Sequence, residues 1–79
     1  DSKSSKDLLN SLQYLNDKNN ATILMVTHDA FAASYSKRVV FIKDGKLFNE
    51  IYKGNMTRKE FYQNILKVLT VIGGDNDDN

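Results

Sequence analysis

The chain of 79 residues has no cysteine and one histidine. The first absence excludes disulfide staples and thiolate metal sites; the second leaves zinc without a ligand set. Charge of one sign is missing too: 11 Lys+Arg against 10 Asp+Glu give a formal net charge of +1. That balance, with no basic stripe interleaved with aromatics, does not point to nucleic acid. No apolar run approaches the roughly 18 residues that a membrane-spanning helix needs. No signal-peptide pattern is read in it either. A composition without cysteine fits a reducing compartment. A chain this short makes at most one small domain, and it buries only about 60% of the surface its unfolded form exposes. It opens at Asp1 without Met or a nearby Gly-rich segment, so the expectation is a piece of something longer.

What is present begins with an amphipathic pattern. Leu8, Leu12 and Leu15 recur at i, i+4, i+7, with Leu9 widening the stripe. This predicts a helix over about residues 5 to 17, with Ser4 and Asp7 as a loose capping box. The run "NDKNN" ends it, because Asn and Asp favour turns through side-chain to backbone bonds. Residues 22 to 27, "TILMVT", are continuously apolar rather than alternating, which predicts a strand covered on both faces, as in a parallel sheet. His28 and Asp29 follow, and Asp29 is placed to cap a short Ala-rich helix over "DAFAASYS".

A second buried-type strand is expected at "RVVFI", residues 38 to 42. The short helical crossover between the two runs predicts a βαβ unit with parallel strands. "KDGK" is a hairpin signal, since Asp44 and Gly45 tolerate the positive φ of a tight turn. "KLFNEIYK" is then the returning antiparallel strand. Thr57 with Glu60 makes a clearer capping box for a last helix bearing Phe61, Ile65, Leu66, Leu69 and Ile72 on one face. "GG" is expected to stop that helix, leaving residues 73 to 79 as an acidic, disordered tail. The predicted order is α-β-α-β-β-α, an α/β class with a partly parallel sheet and a β-hairpin, in one unit over residues 1 to 79. Strands this apolar want neighbours on both sides, and the chain does not supply them all.

By chemistry alone, His28 is expected at the carboxyl end of a parallel strand, where ligands bind in open sheets. Just before a helix N-terminus it could donate a hydrogen bond to an anion. It could equally be a half-buried imidazole bonded to backbone, and one His does not decide between them.

The surrounding residues add a resemblance. "ILMVTHD", a short helix and then "RVVFIKDGKL" resemble the C-terminal part of an ABC-transporter ATPase, a P-loop NTPase fold. There a hydrophobic strand ends in a switch-loop His, then come a helix, a strand and a D-G-K/R turn. "DSKSSKDLLNSL" resembles the D-loop and the helix after the Walker B acid. The match is collinear over nearly the whole chain. "THDAFAASYSKRVVFIKDGKLFNEIYKG" looks like the ATPase subunits that serve antimicrobial-peptide permeases of the bacitracin-resistance type, although lipoprotein-release or macrolide-type ATPases share much of the frame.

The resemblance implies roles. His28 would be catalytic, contacting the γ-phosphate and the attacking water across a head-to-tail dimer of ATPase subunits. Asp1 would be the D-loop acid at the dimer interface, with Ser2 and Lys3 lesser candidates. The parent would use ATP and Mg²⁺ and drive a membrane permease from the cytoplasmic face of a bacterial membrane. The P-loop G-x-x-x-x-G-K-[ST], the glutamine loop, the LSGGQ-like signature and the Walker B acids are absent from these residues. The 79 residues alone are therefore expected to bind no nucleotide or metal and to be inactive. Lys43, Lys46 and Lys53 read as a solvated face, and the four tyrosines show no stacking pattern. The alternative is a free-standing α/β module that binds a partner or dimerises without catalysis.

Overall fold

The structure is a computed structural model, and it describes residues 2–74. Helix α1 spans Ser2–Asn19, helix α2 Ala30–Ala33, strand β1 Arg38–Lys43, strand β2 Lys46–Tyr52 and helix α3 Arg58–Gly74. The predicted helices and the hairpin are all there. The predicted first strand is not, so the order is α-α-β-β-α.

Each element starts or stops for a local reason. Helix α1 begins before Ser4, so Ser4 lies inside it and is not its N-cap. It ends where Asn20 takes a left-handed φ of 55°. The Asn16 amide then donates to the Ala21 carbonyl at 2.7 Å, folding the exit back on the last turn. In α3 the capping box closes as expected. The Thr57 N–H donates to Glu60 Oε1 at 2.8 Å, and the Glu60 N–H donates to Thr57 Oγ1 at 3.1 Å. Two orphan donors of the first turn are thereby satisfied reciprocally.

The hairpin turns at Asp44 and Gly45, with φ of 54° and 75°. Two consecutive positive φ values match the right-handed twist of the flanking strands. β1 and β2 pair antiparallel, with Arg38 opposite Tyr52 and Lys43 opposite Lys46. The register slips between Phe41, opposite Asn49, and Ile42, opposite Leu47, so Phe48 is the extra residue of a bulge. Arg38, Glu50 and Tyr52 form an exposed cross-strand group, in which the Arg38 guanidinium pairs with Glu50 and lies 5.7 Å from the Tyr52 ring centroid.

The sheet has these two strands and no parallel pair among the described residues. This corrects the expected βαβ unit and partly parallel sheet. Residues 20–29 are irregular, with Leu24 91% and Val26 92% exposed. The physical reason is pairing. A central strand needs hydrogen-bonding neighbours along its edges, and no described strand lies beside this run. Without a ladder or cover, an apolar composition alone does not make a buried strand.

The core is small and sits where α3 meets the hairpin and α2. Phe41, Phe61 and Ile65 are its buried members, with Ala30, Ala33, Val39, Ile51, Met56, Val68 and Ile72 packed around them. The apolar face of α3 is thus centred on Phe61, Ile65 and Val68, while Leu69 turns toward the edge and is 37% exposed. On α1, Leu9 is buried, whereas Leu8 is 60% and Leu15 41% exposed, so the predicted leucine stripe is covered only in part. Helix α3 includes Gly73 and Gly74, where the described residues end, so the tail expected from residue 73 does not begin there. Lys43 Nζ donates to the Ile72 carbonyl at 3.4 Å, placing a cation at the C-terminal end of the helix, where it complements the macrodipole. The remainder of the expected acidic tail, residues 75–79, lies outside the described residues.

Candidate functional site

His28 stands between the irregular segment and α2. The turn around it is tied by two short bonds. The Asp29 N–H donates to Thr27 Oγ1 at 3.0 Å, and the Phe31 N–H donates to Asp29 Oδ1 at 3.0 Å. Asp29, with φ −99° and ψ 114°, is the N-cap of α2, as the sequence predicts. Its carboxylate serves the helix backbone. The imidazole next to it is exposed to solvent.

His28 lines the mouth of a groove of about 230 Å³. Thr27, Asp29, Ala30 and Ala33 continue its rim, β1 contributes Val39 to Ile42, and α3 contributes Ile65, Leu69 and Ile72. The groove is apolar except at the His28 end. Its only titratable side chains are His28 and Asp29, and Asp29 is occupied as a cap. Chemically, this arrangement offers one exposed imidazole on a short, hydrogen-bonded turn at the edge of an apolar surface. Such a group can donate to an anion or exchange a proton with it, but it makes no enclosed site by itself.

The second predicted site residue, Asp1, lies outside the described residues. Lys3 is exposed in the first turn of α1. Among the described residues no three His, Cys, Asp or Glu side chains converge as a metal site. The described residues therefore do not fit a Mg²⁺ ion. Sequence reasoning missed the aromatic group that follows His28 in the chain. Phe31 and Tyr35 are edge-to-face at 5.4 Å, and the Arg58 guanidinium lies over both rings. Their i, i+4 spacing was a signal, but nothing local pointed to Arg58.

No family model matches the chain. Individual proteins do. An ABC transporter ATP-binding protein of Bacillus subtilis, YvcR, is 59% identical over 75 residues, which is 95% of the chain and 29% of YvcR. The chain is a homologue of ABC transporter ATP-binding proteins. A second ABC transporter ATP-binding protein of Bacillus subtilis, YxdL, is 55% identical over 99% of the chain and 30% of its own length. The bacitracin export ATP-binding protein BceA of Halalkalibacterium halodurans is 53% identical over 99% of the chain and 31% of its own length. The chain thus spans about three tenths of the length of these ABC relatives. The relatives that share this identity over nearly all of its residues are ABC ATP-binding proteins. No described helix of this ABC homologue is long and apolar enough to cross a membrane.

Proposed function

We propose that this chain is the C-terminal part of an ABC-transporter ATPase subunit, and that His28 is its switch histidine. The observation that carries the reading is the position of the imidazole. It is solvent-exposed on the turn immediately before an N-capped helix, in a chain more than half identical to ABC ATP-binding proteins. In this reading His28 donates to the γ-phosphate and orients the attacking water. Phosphoryl transfer depends mainly on positioning and electrostatic stabilisation, so one well-placed donor matters. Asp1 is the D-loop acid at the interface between two head-to-tail subunits.

The parent binds ATP with Mg²⁺, whose phosphate cradle and metal ligands lie outside these 79 residues, so the chain alone is inactive. It works with a membrane permease and sits at the cytoplasmic face of the bacterial membrane. BceA, a bacitracin export protein by name, supports export of a peptide antibiotic or resistance to it as the parent's task. The exposed run at Leu24 and Val26 also favours a piece of a larger ATPase over a free-standing binding module. Over nine-tenths of each side chain faces solvent, a cost that a self-sufficient small domain does not normally carry.

The test is His28→Ala in the full-length ATPase that carries this sequence. Steady-state ATP turnover should fall by about tenfold or more, the scale of losing one transition-state hydrogen-bond donor. Nucleotide affinity, read by fluorescent-nucleotide titration, should stay within about threefold, because His28 acts on the reacting phosphate. Unchanged turnover would remove His28 from the machinery.

A further inference from the structure

We propose that Arg58 is a positioning residue for His28, acting through a cation–aromatic clamp that fixes α2 on the first turn of α3. The inference rests on the reading of His28 given above.

Helix α2 has four residues. One helical turn is far too short to hold itself together, so its position is set by what it packs against. One side is settled by the core, where Ala30 and Ala33 pack against Phe41, Phe61 and Ile65. Alanines are small and featureless, and they permit sliding. The other side carries Phe31 and the following Tyr35, both half-buried. Arg58, the first residue of α3, closes over them, with its guanidinium carbon 4.2 Å from the Tyr35 centroid and 5.4 Å from the Phe31 centroid. A planar guanidinium can lie on an aromatic face as an ammonium cannot, which gives the contact a preferred orientation. Lys6 of α1 adds a longer contact, with Nζ 6.0 Å from the Phe31 centroid.

The clamp reaches His28 through very few bonds. Phe31, which Arg58 covers, donates its N–H to the Asp29 carboxylate, and Asp29 follows His28 directly. At its other end α2 is closed by Ser34, fully buried, whose hydroxyl donates to the Phe31 carbonyl at 2.6 Å. Phe31 is therefore held at its ring by Arg58, at its N–H by Asp29 and at its carbonyl by Ser34. A shift of Phe31 must move the turn that presents the imidazole. Positioning of this kind is invisible to affinity and visible in turnover, since small misplacements of a reacting group reduce rate steeply.

The experiment is a double-mutant cycle on ATP turnover of the full-length ATPase, with His28→Ala, Arg58→Ala and the pair. Arg58→Ala should lower kcat about two- to fivefold with KM for ATP unchanged, the size of an exposed cation–aromatic contact. In the His28→Ala background, Arg58→Ala should have no further effect, because its influence passes through the imidazole. Arg58→Lys should recover only part of the loss, and Lys59→Ala, an exposed neighbour outside the clamp, should leave kcat unchanged. If Arg58→Ala does not fold, Tyr35→Leu removes the nearer ring and is expected to reproduce the kcat effect. Equal losses from Arg58→Ala with and without His28, or no change in kcat in a folded variant, would overturn the inference. A normal rate for His28→Ala would instead overturn the reading on which it rests.

Discussion

The sharpest test of the packing compares two apolar residues that the sequence treats alike and the structure treats oppositely. Phe61 is 0% exposed and central to the core, whereas Leu24 is 91% exposed. Truncating a buried Phe to Ala removes its transfer free energy and leaves a cavity, together about 3–5 kcal/mol. A domain of this length has a total stability of only about 4–12 kcal/mol at the usual value per residue. Phe61→Ala should therefore leave the chain largely unfolded, or shift its urea midpoint by more than any surface change. Leu24 hides less than a tenth of its surface. At about 1.5–3 kcal/mol for complete burial of a leucine, Leu24→Ala should cost only about 0.1–0.3 kcal/mol. The assay is urea unfolding of the 79-residue chain followed by far-ultraviolet circular dichroism, with stabilities compared at matched slopes. A loss of about 1 kcal/mol or more from Leu24→Ala would mean that residues 22 to 27 are covered after all. A loss of that size or less from Phe61→Ala would refute the core.

Two local predictions use the same unfolding assay, alongside the turnover predictions for His28 and Arg58. Thr57→Ala removes the hydroxyl that accepts from the Glu60 N–H, so it should cost about 1 kcal/mol; an unchanged midpoint would show that the capping box contributes nothing. Gly45→Ala places a side chain at φ 75° with no atom within 4 Å of the added carbon. Its effect should thus be backbone strain alone, about 1–2 kcal/mol, and a stabilised variant would show that the turn can change type.

The site was legible in part. Residues 28 and 29 could be placed on a turn before a helix because the bond from the Phe31 N–H to the Asp29 carboxylate spans only two residues. Whether the imidazole would be bonded to backbone or open to solvent could not be read, since exposure depends on groups far along the chain. The apolar groove beside it joins α2, β1 and α3, three elements whose juxtaposition no local pattern encodes. The aromatic pair shared the same limit: Phe31 and Tyr35 are neighbours on one turn, but Arg58 comes from the far side of the hairpin.

The sequence by itself determined the features whose partners lie within a few residues. The Asp44–Gly45 turn, the Asp29 cap and the Thr57–Glu60 box all follow from short-range sterics and hydrogen bonds, and each stands as expected. Only the tertiary structure decided what needs distant partners. It left "TILMVT" irregular because no described strand lies beside it, buried Leu9 but not Leu8, and took both glycines into α3, near whose end Lys43 meets the Ile72 carbonyl. Strand pairing and burial are properties of the neighbours present, and apolar composition states only that neighbours are wanted.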